Sequence, residues 1–202
     1  ELRIMANFVS AILLSAGKST RMGSPKALLD WQGIPLIQYQ IQNLIDGGVS
    51  QVIVVLGHNS KEISKFICSS KAKFLINDEY QEGKVTSILK GVSAVSGISS
   101  DIMILSVDQP RDHKIINHLI RSHSDSKSLI SIPSNGFKSG HPIIFSYKLK
   151  SKLMEISESK KGLKALMNEH RNSLNFVNFQ NEMIFLDINT SEEYLFSKKK
   201  FS

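Results

Sequence analysis

The chain has 202 residues, 41% of them hydrophobic and 21% charged, which suits one soluble domain, or one with a small elaboration, and a core of useful size. A single cysteine, Cys68, excludes an internal disulfide framework and a cysteine-based zinc site, and no apolar run approaches the roughly 18–20 residues of a membrane span. The formal charge of +7 is concentrated partly in Lys198–Lys200; without interleaved aromatics or a known module, it fits a solvated surface or a phosphate-attracting cleft rather than nucleic-acid binding.

The apolar start could suggest a signal peptide. It leads directly into a glycine-bearing motif, however, and reads better as a buried strand over Phe8–Ser15. Residues 1–7 are then an N-terminal extension, and the cytoplasm is the expected compartment. Apolar residues at Leu36, Ile37, Ile41, Leu44 and Ile45 predict a helix over Pro35–Ile45, stopped by Gly47-Gly48. Gln51–Leu56 is a second strand, Ser60–Cys68 a helix, and Lys73–Ile76 a short strand. Val85–Val95 is amphipathic, Asp101–Val107 is a fourth buried strand, and Asp112 suits the start of a helix running to Ser122. Farther on, 128–133 and 141–146 predict a strand pair around a turn-rich loop. Leu149–Ile156 and Gly162–Glu169 predict helices, and Asn175–Phe179 and Met183–Ile188 short strands. A final helix starts at Ser191, with Thr190 and Glu193 as a capping box.

This alternation predicts an α/β fold, a Rossmann-like three-layer arrangement around a mostly parallel sheet. One domain spans residues 8–198, with 199–202 a basic tail. Right-handed crossovers bring the loops after the first and fourth strands to one crevice at the carboxyl edge of the sheet. Those loops are "SAGKSTRMGSPK" and "DQPRD".

The first loop contains Gly-Lys-Ser-Thr but is not a Walker A loop. That motif needs a glycine five residues before Gly17, and the position holds Ile12, inside the strand. Pro25 would also break the helix such a loop requires. The remaining reading is a looser phosphate loop. Gly17 and Gly23 allow close backbone approach, amides from Ala16 onward can form an anion nest, and Lys18, Arg21 and Lys26 place three cations within nine residues.

"LLSAGKSTRMGSPKALL" resembles the opening loop of nucleotidyltransferases with a glycosyltransferase-A-like fold. "NDEYQEGKVTSILKGV", "DIMILSVDQPRD", "KSGHPIIFS" and "LDINTSEEY" resemble four further motifs of that superfamily, in order. The nearest likeness is to the molybdenum cofactor cytidylyltransferases and their MobA-like relatives, from about Ser10 to Tyr194. The resemblance implies that Ser15, Ala16 and Gly17 meet the nucleotide through the backbone, together with Lys18. Arg21 and Lys26 hold the triphosphate, and Gly83 and Ser87 lie against the base. Asp108 binds Mg²⁺, Asp187 or Asn189 completes the metal site, and His141 stands near the acceptor. It further implies CTP as donor, molybdopterin as acceptor, a molybdoenzyme partner, and release of pyrophosphate. Ser15 stands where these families often have Ala, Tyr80 where Trp is common, and Ser191 where Pro is common. Ala16 replaces the second glycine of guanylyl-type members and favours a pyrimidine.

Two alternatives remain at the level of sequence. One is the same fold acting on a sugar phosphate or another alcohol phosphate. The other is a non-catalytic nucleotide- or cofactor-binding chaperone of that fold.

Overall fold

All seven residues of the first strand, β1 (Val9–Ser15), are buried, as expected of a strand covered on both faces. The computed structural model describes residues 8–19, 22–96 and 100–201. After β1 come the two-residue strands β2 (Asp30–Trp31) and β3 (Ile34–Pro35), then α1 (Leu36–Asp46), β4 (Gln51–Leu56), α2 (Ser60–Ile63), β5 (Ala72–Ile76) and α3 (Lys84–Ser93). The second half contains β6 (Asp101–Ser106), α4 (His113–Ser126), β7 (Ile130–Ser134), β8 (Ile143–Phe145), α5 (Lys150–Leu153), α6 (Gly162–Glu169), β9 (Leu174–Asn178) and α7 (Ser191–Phe201).

Seven strands form one sheet in the order β5-β4-β1-β6-β8-β7-β9. The pairs β5/β4, β4/β1, β1/β6 and β7/β9 are parallel, and β8 runs antiparallel to both of its neighbours. Strand order reverses at β1, so the loops leaving β1 and β6 diverge and open a crevice at their carboxyl ends. Two apolar layers cover the sheet. Leu36, Ile37, Leu44, Ile116 and Leu119 of α1 and α4 pack on one face, with Trp31 fully buried beside them. Val85, Ile88, Val92, Leu153 and Leu166 of α3, α5 and α6 pack on the other. The α3 layer lies so close that a Cβ on Gly91 would stand 2.4 Å from Ile12.

The mostly parallel three-layer sheet agrees with expectation, and the differences have local causes. Met183–Ile188 is not a strand. Glu182–Phe185 is a 3-10 turn opened by Asn181, whose side chain accepts from Met183 N at 2.9 Å. Its carbonyls are taken by Arg111 and His141 rather than by a strand. The segment Ser60–Cys68 holds one helical turn followed by a 3-10 turn, and the helix expected over Leu149–Ile156 is reduced to α5. The hairpin β2–β3 was not anticipated; Gln32 and Gly33, with φ of 54° and 84°, form its two-residue turn. At the C-terminus, α7 continues through Lys198–Lys200 to Phe201, so those lysines are helical. The expected capping box is present. Glu193 N donates to Thr190 Oγ1 at 3.2 Å, and Thr190 N donates to Glu193 Oε2 at 3.1 Å.

Candidate active site

A cavity of about 360 Å³ opens where the loops after β1 and β6 part, within the usual size range of ligand pockets. Ser15, Ala16, Gly17 and Lys26 line it from the first loop, Gly83 and Ser87 from the start of α3, and Asp108 and Asn189 from the opposite side. Lys26 is central. Its Nζ donates to Asp108 Oδ2 at 2.8 Å and to Asn189 Oδ1 at 3.0 Å, joining residues 82 and 163 positions apart. A 3-10 turn, Lys26–Leu28, places its backbone, and Lys26 N donates to Ser19 Oγ at 3.2 Å. Ala16 is fixed from the neighbouring loop, because its carbonyl accepts from His58 N at 3.2 Å.

On the α3 side, Ser87 is buried and accepts a hydrogen bond from Asn77 Nδ2 at 2.9 Å, leaving its own proton available for an acceptor. Gly83 has φ +126°, and a Cβ there would lie 2.4 Å from Glu158 Oε1. That same oxygen accepts from Val85 N at 2.9 Å, answering one of the free amides at the start of α3.

Three predicted residues fall outside the cavity wall, and one cannot be placed. Lys18 donates to Gln81 Oε1 at 3.1 Å. Asp187 is held beside Asp108 through the backbone, since Ile188 N donates to Asp108 O at 2.8 Å. Burial and the charge of Asp108 raise the Asp187 carboxyl above its ordinary range. His141 donates through its backbone N to Ile184 O at 3.0 Å. Burial, aided by the charges of Arg111 and Lys84, lowers its imidazole pKa to about 4, so the ring is neutral at pH 7. Arg21 lies outside the described residues.

Two contributors were not recognised from sequence. Arg111 is buried at 1% exposure, yet among the described residues no carboxylate pairs with it. Its guanidinium donates to four backbone carbonyls: His141 O at 2.8 Å, Pro110 O at 2.7 Å, Leu186 O at 3.1 Å and Ile184 O at 2.9 Å. Burial lowers its pKa to about 9, and the charges of Asp187 and Asp108 oppose that shift. Arg111 thereby ties the β6 loop to the His141 segment and to the turn that leads into Asp187. Gln40 of α1 supports it, accepting from Arg111 N at 3.2 Å and donating to Gln109 O at 2.6 Å. The signal was present in "DQPRD", where an arginine follows the strand-end aspartate by three residues. The second is Lys84, which lines the cavity and immediately follows Gly83.

Asp108 and Asp187 offer hard oxygen donors, and repulsion from Asp108 adds to burial in raising the Asp187 carboxyl. A divalent cation between them would relieve that repulsion, and Mg²⁺ needs only one or two protein carboxylates. Lys26 can therefore neutralise phosphate charge directly beside the carboxylates that could hold a metal.

The chain is 25% identical over 198 residues to the molybdenum cofactor cytidylyltransferase of Escherichia coli (strain K12), covering 96% of this chain and 97% of that one. It is 24% identical over 192 residues to nicotine blue oxidoreductase of Paenarthrobacter nicotinovorans, covering 92% and 94%. Its fold matches that of Rv0371c from Mycobacterium tuberculosis H37Rv with a TM-score of 0.82 at 19% identity, over 96% and 99% of the two chains. That protein has also been solved as a complex with manganese. The family model for the MobA-like NTP transferase domain matches residues 11–174, and the chain belongs to that family.

Proposed function

We propose that this protein is a Mg²⁺-dependent cytidylyltransferase, moving CMP from CTP to the phosphate of molybdopterin or the molybdenum cofactor and releasing pyrophosphate. The observation that carries the reading is the convergence of Lys26, Asp108 and Asn189 within 3.0 Å at a cavity between the β1 and β6 loops. The backbone of Ala16 and Gly17 takes the nucleotide, Gly83 and Ser87 take the base, and Lys26, with Arg21, takes the triphosphate. Asp108 and Asp187 hold Mg²⁺, which when bound neutralises charge on the transferring phosphoryl group. No general base is needed, because a phosphate acceptor is already anionic near neutral pH. Catalysis then consists of positioning and charge stabilisation.

The relative named as an oxidoreductase makes nucleotide binding alone an insufficient test. The test is pyrophosphate release by the purified protein with Mg²⁺, each of CTP, GTP, ATP and UTP, and molybdenum cofactor as acceptor. CTP should be preferred, and Asp108→Asn should lower the rate at least about 100-fold by removing charge at the reacting phosphate. Release with sugar phosphates alone would move the acceptor assignment, and nucleotide binding without release from any pair would overturn the enzymatic reading.

A further inference from the structure

The cations around the cavity are not equivalent. Lys26 already donates to Asp108 and Asn189, and Lys18 is engaged by Gln81. Lys84 lines the same cavity, and among the described residues its ammonium has no ion-pair or hydrogen-bond partner. A lone surface lysine means little, but this one is the first residue of α3, between two close contacts to Glu158. Gly83, before it, leaves no room for a side chain against Glu158, and Val85, after it, donates to that carboxylate. Glu158 also answers the helix amide there, so the start of α3 is already supplied with an anion. The Lys84 ammonium, by contrast, faces the cavity with no partner among the described residues.

Its position also differs from that of the phosphate loop. Lys26 enters the cavity from the loop after β1, whereas Lys84 enters it from the first turn of α3.

We propose that Lys84 binds the anionic group of the acceptor, a phosphomonoester, in a subsite separate from the triphosphate cations, and brings it to the α-phosphorus of the donor. This rests on the nucleotidyl-transfer reading above. In the step it serves, an acceptor phosphate oxygen forms a bond to the α-phosphorus. The bond from that phosphorus to the bridging oxygen breaks, and pyrophosphate leaves with the electron pair. The dianionic acceptor has no proton to lose, so Lys84 stays an ammonium throughout and acts only by charge and hydrogen bonding.

The test is calorimetric titration of the full chain with inorganic phosphate, before and after saturation with Mg²⁺ and α,β-methylene-CTP, a donor that cannot transfer. In the nucleotide-loaded protein, Lys84→Gln should weaken phosphate binding about tenfold or more, and Lys84→Arg should retain it within about threefold, while nucleotide affinity moves less than about threefold. Equal phosphate affinity in wild type and Lys84→Gln would overturn the proposal, as would no phosphate binding to either. An equal loss of nucleotide and phosphate affinity would assign Lys84 to the triphosphate and also overturn it. If the wild type binds no nucleotide, the nucleotidyl-transfer reading fails, and phosphate titration of the free protein still judges Lys84.

Discussion

Arg111 bears more of the site's architecture than any residue singled out by its chemistry. A guanidinium buried against four carbonyls cannot be replaced by an apolar chain without leaving Pro110 O, His141 O and Leu186 O without that donor, while Ile184 O would keep only His141 N. Arg111→Met should destabilise the fold by about 3 kcal/mol or more, read as a lower urea midpoint, and Lys, with three donors, should recover only part of that. His141 has a pH signature. Its folded pKa of about 4 lies below the ordinary 6.5, so the fold favours the neutral ring. The stability from this preference is complete above pH 6.5 and is lost as the pH falls from 6.5 towards 4. About 2 kcal/mol should be gone at pH 5. Thermal unfolding at pH 7 and pH 5 should show a smaller drop for His141→Asn than for the wild type. A slope unchanged by the substitution would mean the ring is not buried as a neutral group.

Among the elements, the entrance to α3 is the tightest. Gly83→Ala would place a methyl against the Glu158 carboxyl at a φ of +126°, which L residues rarely adopt. It should weaken nucleotide binding about tenfold or more through displacement of the α3 entrance, measured by fluorescence titration with a labelled CTP. Glu158→Ala in the same background should return part of the affinity, because the clash is with that side chain. This pair also marks what the sequence could reveal. "EGKVTS" made Gly83 a visible base-side residue, but its partner lies 75 positions later on a turn with no motif. The same contrast holds elsewhere. β1, β4 and β6 were legible as continuous apolar runs, and the Thr190–Glu193 box as spacing. Met183–Ile188 looked like a strand because it is a nearly continuous apolar run, but the carbonyls of Ile184 and Leu186 are claimed by an arginine more than 70 positions earlier. Lys26 and Asp108 were legible as a pair because both follow buried strands. The hub beneath them was not, since nothing in "DQPRD" says that Arg111 turns inward.

At the scale of the molecule, the cavity sits on the seam where the sheet reverses its winding, and its walls come from segments between Leu14 and Asn189. A ligand there joins parts of the chain that the sheet alone holds apart. At 100 times its dissociation constant, a nucleotide should add about 2.7 kcal/mol of stability. For a domain of this size that corresponds to a rise of roughly 5–10 °C in the melting temperature, measurable by scanning fluorimetry with Mg²⁺ and each NTP. The seven-stranded sheet has one more consequence, for the order of assembly. β7 pairs with β8 and β9, both later in the chain, and β6 meets β8 on its outer side. During synthesis, β6 and β7 therefore both emerge with open ladders and a gap between them one strand wide. The three residues Ile143–Phe145 fill that gap and close both edges at once. Their insertion is a late, long-range event, so the nascent chain is most prone to stick to its neighbours after β7 has left the ribosome and before Ile143–Phe145 has, and a pause at that stage would prolong the exposure.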